Sequence, residues 1–123
     1  MVKSATILIV EDDLLLAECY ERWLQAGGYR TIIATNAQTA LDVLDEQLPS
    51  VILLDMLLHG ANGMQLLNTI QSHADLAKIP VVVCSNALPK HLPELAPYGV
   101  RIVLDKTVLT REKLVAAVRE ALL

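Results

Sequence analysis

The amino-acid sequence predicts an α/β fold, a parallel sheet with helices on both faces. Three observations carry that prediction. The strand-length runs Ile7-Leu8-Ile9-Val10 and Val51-Ile52-Leu53-Leu54 are apolar throughout, the pattern of strands buried on both sides. Around such runs lie segments whose apolar residues fall three to four apart, the period of an amphipathic helix. Strand and helical segments alternate strictly, five of each, which is the order of a parallel sheet with crossover helices.

Thr6–Val10 is the first strand. The period of Leu15, Cys19, Arg22/Trp23 and Ala26 predicts a helix over Leu14–Ala26, with Asp13 as N-cap and Gly27-Gly28 as its stop. Thr31–Ala34 reads as a short strand. Asn36 can cap a helix running to Glu46, and Pro49 follows it. Val51–Leu54 is the third strand, and Asn62-Gly63 opens a helix to about Ser72. Pro80 precedes the strand Val81–Cys84. Pro89, Pro93 and Pro97 then recur every fourth residue, and proline both clashes and removes a hydrogen bond inside a helix. Lys90–Ala96 can therefore hold only a short or distorted helix. Val100–Leu104 is the fifth strand, and Thr110 caps a last helix carrying Leu114, Val115, Val118, Ala121 and Leu122. The two wholly apolar strands are expected at the sheet centre.

At 123 residues the chain suits one domain, residues 1–123, with a single core. Apolar residues make up 54% of it, yet there are only three Tyr, one Trp and no Phe, so the core must be aliphatic. The net charge is −4 and no basic stripe is visible, which disfavours direct binding to nucleic acid. No signal-peptide pattern precedes the first strand and no apolar run approaches membrane-span length, so a cytoplasmic location is expected. Cys19 and Cys84 lie inside predicted elements and read as buried, reduced thiols.

The strand ends carry the chemistry. Glu11, Asp12 and Asp13 follow the first strand, Asp55 ends the third, Ser85 follows the fourth and Lys106 follows the fifth. In a parallel sheet these ends form one rim, where ligands bind. Taken singly, each has a bland role: Asp13 as a helix cap, Ser85 as a turn former, Lys106 in solvent. Together they are acids, a hydroxyl and an ammonium at one rim, which suits phosphoryl transfer to a carboxylate. Asp55 is then the nucleophile, giving an acyl phosphate. Glu11, Asp12 and Asp55 offer hard oxygen ligands for Mg²⁺, while Lys106 and Ser85 face the phosphoryl oxygens.

These positions make the chain resemble the two-component response-regulator receiver domain along its whole length, in the stand-alone, chemotaxis-receiver-like form. Gly63, eight residues past Asp55, adds to the match. The resemblance implies a flavodoxin-like strand order, 2-1-3-4-5. It implies a phosphoacceptor switch in a two-component system or phosphorelay, with the phosphoryl group passing from a sensor histidine kinase or histidine phosphotransfer protein to Asp55. Among metal ligands it implies direct contacts from Asp12, Asp55 and the Leu57 backbone carbonyl, with Glu11 acting through water. Output would pass to a downstream protein target, from a monomer or weak dimer. The chain would not be an enzyme beyond its own phosphorylation and dephosphorylation.

Four departures from the receiver pattern stand out. His59 and Gly60 follow where proline is usual, and Thr107 replaces the proline after Lys106, for which a trans peptide is expected. Val103 stands where a mobile aromatic ring is usual. The three prolines fall in the helix-four region. They suggest retained chemistry with an unusual output surface. The rival reading is a degenerate receiver used only as an interaction module, which the presence of Asp12, Asp55, Ser85 and Lys106 disfavours. A haloacid-dehalogenase-type phosphatase would want an Asp at Leu57. A flavin carrier would want a phosphate loop where Glu11-Asp12-Asp13 would repel it.

Overall fold

The computed structural model describes residues 4–58, 61–85 and 92–123. Five parallel strands, β1 (Thr6–Val10), β2 (Arg30–Ala34), β3 (Val51–Leu54), β4 (Val81–Ser85) and β5 (Val100–Asp105), form one sheet. Their order is β2-β1-β3-β4-β5. Residues 7–10, 51–54 and 81–85, in the three inner strands, are buried without a break. The expected strand order and the central placing of the two wholly apolar strands are both found, with Val81–Ser85 as a third inner strand.

Alternation along each strand explains why these runs carry no polar face. Leu8, Val10, Ile52, Leu54, Val81 and Val83 point into one apolar cluster, with residues of α2 (Ala37–Glu46) and α3 (Gly63–Gln71). Ile7, Ile9, Val51, Leu53, Val82 and Cys84 point to the other, with residues of α1 (Leu14–Ala26) and α5 (Arg111–Ala121). Truncating a fully buried leucine such as Leu53 should cost about 2–5 kcal/mol.

Each long helix begins where it was expected. Asp13, Asn36 and Thr110 accept from the backbone N–H groups of Leu16, Thr39 and Lys113. α3 opens at Gly63, at the expected Asn62-Gly63 step, just after a two-residue antiparallel ribbon, Ala61–Asn62 against Leu57–Leu58. Such a pair has no periodicity to read. Gly28, at φ +93°, takes the left-handed turn that ends α1.

Pro93 and Pro97 act as predicted. Pro93 lies in a single-turn helix, α4 (Leu92–Leu95), and Pro97 in the first turn of a following 3₁₀ segment, where no intrahelical N–H is needed. Gly99, at φ +83°, then turns the chain into β5. Pro89, Lys90, His59 and Gly60 lie outside the described residues.

Three details differ from expectation. Ser85 and Asp105 are the last residues of their strands, and β2 starts one residue earlier, at Arg30. The buried face of α1 is Ala17, Tyr20 and Leu24, whereas Leu15 is 80% exposed. Leu14, Leu15 and Leu16 add apolar residues outside that buried face, so the sequence period alone did not select which side meets the sheet. Cys19 is correspondingly only half-buried, while Cys84 is buried; both are free thiols.

Candidate functional site

The strand register brings the acids together. Val10 pairs with Ala34 on one side and Leu54 on the other. The next residues extend these ladders: Glu11 N–H donates to Ala34 O at 3.1 Å, and Asp55 N–H to Val10 O at 3.0 Å. Both acids are thereby pinned at the C-terminal rim, and both are buried, Glu11 at 2% and Asp55 at 6% exposure.

Buried carboxylates demand a counter-charge. Lys106, reaching back from the end of β5, supplies it. Its Nζ lies 2.7 Å from Glu11 Oε1 and 3.0 Å from Asp55 Oδ2. The contact with Asp55 is a hydrogen bond. Glu11 Oε1, fully buried, forms an ion pair with the same ammonium. Glu11 Oε2 accepts from the Asp13 N–H at 3.2 Å. Half-buried Asp12 completes the group: Glu11, Asp12 and Asp55 each offer an oxygen, and the three oxygens lie within 4.8 Å of one another.

The electrostatics follow from this crowding. Burial, with the Asp55 charge adding to it, pushes the Glu11 carboxyl up to about 7, against the opposing pull of Lys106 and the Asp13 N–H. Burial works to lower the Lys106 pKa, but hydrogen bonds and charge from Glu11 and Asp55 prevail and hold it above its ordinary value. Glu11 and Asp55 share Lys106, and Asp12 brings a third carboxylate to the same cluster. This donor set fits a hard divalent cation such as Mg²⁺.

The remaining predicted residues fall around this cluster. Ser85 ends β4, is 5% exposed, and pairs in register with Asp105, the residue before Lys106. Leu57, two residues past Asp55, opens the short ribbon. Gly63 explains how α3 abuts the site. Its N–H donates to Met56 O at 2.8 Å, and a Cβ there would lie 2.7 Å from Met56 Cα and 3.2 Å from Asp55 O. Only glycine lets the helix start press so closely on the Asp55 backbone.

One supporting contact went unread in the sequence. Asp105 Oδ1 accepts from the Thr107 N–H at 2.9 Å and from its hydroxyl at 2.7 Å, capping a 3₁₀ turn over Lys106–Val108. These hydrogen bonds hold the Asp105 carboxyl below its ordinary range. The Asp-x-Thr spacing was the available signal. No cis peptide occurs among the described residues, so the Lys106-Thr107 bond is trans as expected.

The response regulator receiver domain model matches residues 7–119. The chain belongs to that family. Among curated relatives, the polar-differentiation response regulator DivK of Brucella anthropi is 32% identical over 77 residues, 63% of each protein. DivK of Brucella ovis is 33% identical over 82 residues, covering 67% of this chain and 65% of the relative. The matches thus span a little under two thirds of these relatives' length. Among solved structures, the signal receiver domain of a histidine kinase from Syntrophus aciditrophicus superposes with a TM-score of 0.84 at 26% identity, covering 97% of this chain and 90% of that one. Vibrio cholerae chemotaxis protein CheY4 superposes at 0.88 over 97% and 99% of the two chains; at 18% identity it speaks for the fold alone. As a receiver domain, the protein carries its acidic cluster at the C-terminal rim of the sheet.

Proposed function

We propose that Asp55 accepts a phosphoryl group from a phosphohistidine on a sensor kinase or histidine phosphotransfer protein, and that the phosphorylated form acts by binding a downstream protein. The observation that carries this reading is the sharing of one lysine by Glu11 and Asp55 inside a three-carboxylate cluster. A cluster of like charges at a buried rim is costly, and phosphoryl transfer is a use that needs it.

In this mechanism an Asp55 oxygen attacks phosphorus, forming the P–O bond of an acyl phosphate as the P–N bond to the donor imidazole breaks. The electron pair of that bond leaves with the imidazole nitrogen. Glu11, Asp12, Asp55 and the Leu57 carbonyl would hold Mg²⁺, which when bound supplies positive charge beside the transferring phosphoryl oxygens. Lys106 exchanges its carboxylate contact for a phosphoryl oxygen, and the Ser85 hydroxyl donates to another. Gly63 and the ladder to Val10 hold the nucleophile still.

Exposed Leu14, Leu15 and Val108, close in sequence to Asp12 and Lys106, favour a protein donor. The role is that of a self-modified switch rather than a turnover enzyme, working in the cytoplasm as a monomer or weak dimer. Phosphotransfer profiling tests it: the receiver, incubated with each phosphorylated kinase of the same genome and Mg²⁺, should take label rapidly from one or a few. Labelling from none would count against the receiving role and favour an interaction module.

A further inference from the structure

Away from the rim, α1 and α5 enclose an open cavity of about 370 Å³. Trp23 forms one wall. Arg111, Val115 and Arg119 line the other at successive fourth positions of α5, with Glu112 and Ala116 beside them, so the wall carries two cations and one carboxylate. At the end of α1 the two elements pack tightly: a Cβ on Gly27 would come within 3.3 Å of Val115 Cγ1. The Trp23 wall is held from behind: its ring lies 5.9 Å from that of Tyr20, whose hydroxyl is 3.6 Å from Cys84 Sγ in β4.

Arg111 is misplaced for helix stability. A cation in the first turn opposes the helix dipole. Its partner is Glu112, 3.7 Å away on an exposed surface, which offsets only part of the charge. Arg119, in the last turn, is well placed for the dipole and is exposed. The two arginines stand roughly 12 Å apart along the helix, at about 1.5 Å per residue, with an apolar patch of Val115 and Trp23 between them.

From this pattern we infer that the α1–α5 groove docks an acidic amphipathic helix of a partner protein, one carrying an apolar side chain with a carboxylate four residues to each side. That helix repeats the spacing of Arg111, Val115 and Arg119 with opposite charge, so its apolar residue seats against Trp23 while its acids meet the arginines. Tryptophan and arginine are the residues that most often dominate such contacts.

A synthetic alanine-based helical peptide with Glu, Leu and Glu at successive fourth positions is the probe, titrated into the full chain and followed by amide chemical shifts. Shifts should concentrate on α1 and α5 around Trp23 and Val115, and binding should weaken as salt is raised. Trp23→Ala should weaken it at least about tenfold. Arg119→Glu, a surface change that leaves the fold intact, should weaken it about two- to fivefold. A peptide with Lys in place of Glu should bind the Arg111→Glu/Arg119→Glu variant better than the unaltered protein. No binding, or binding indifferent to Arg119→Glu, would overturn the assignment. So would a dimer of the chain that seals this face.

Discussion

Lys106 Nζ sits 2.7 Å from Glu11 Oε1, nearer than to the Asp55 oxygen at 3.0 Å. The lysine that must serve the acceptor therefore also neutralises the most buried acid of the cluster. Lys106→Met leaves both acids without that charge. It should destabilise the fold by about 1–3 kcal/mol near pH 8 in urea unfolding. Near pH 5 the loss should shrink, because Glu11 can then take up a proton. An equal loss at both pH values would mean that Glu11 and Lys106 are not coupled.

The raised Glu11 carboxyl gives a signed pH dependence. Its folded value, about 7, lies above the ordinary 4.5. Its contribution to stability is fully present below about pH 4.5 and is lost as pH rises through about 7. Metal-free protein should therefore lose stability across that window, and Glu11→Gln should flatten the slope there. Calorimetric melts across the window check both curves.

Mg²⁺ should reverse that loss by binding the deprotonated acids. At a concentration a hundred times its Kd the stabilisation should reach about 2.7 kcal/mol. The gain should be larger near pH 8 than near pH 5, since protons compete for Glu11. Asp12→Ala should remove most of it, and an undiminished melting shift in that variant would place the ion elsewhere.

Gly63→Ala tests the packing behind the acceptor. The added methyl would come within 2.7 Å of Met56 Cα and 3.2 Å of Asp55 O, both backbone atoms that cannot rotate away. A destabilisation of about 1–3 kcal/mol and a several-fold slower phosphorylation are expected, the second showing displacement of the nucleophile. Unchanged kinetics with the stability loss would mean that α3 moves without Asp55.

Much of this was legible because it rests on strand burial and on which residues end strands. Continuous apolar runs place β1 and β3 inside the sheet, and parallel order puts Glu11, Asp55, Ser85 and Lys106 on one rim. What the sequence withheld depends on three-dimensional selection. Leu15 and Leu24 fit a helical face equally well in one dimension, and packing alone buries Leu24 and exposes Leu15. The sharing of Lys106 between two acids likewise depends on side-chain reach across strands, which spacing does not encode. The ribbon at Leu57–Leu58 is too short to leave a periodic trace.

The central claim is that Asp55 is the phosphoacceptor, and intact-protein mass spectrometry after treatment with acetyl phosphate and Mg²⁺ tests it most directly. The protein should gain one phosphoryl group that hydroxylamine removes, as an acyl phosphate requires, and Asp55→Asn should gain none. A hydroxylamine-resistant modification, or equal labelling of Asp55→Asn, would contradict the account.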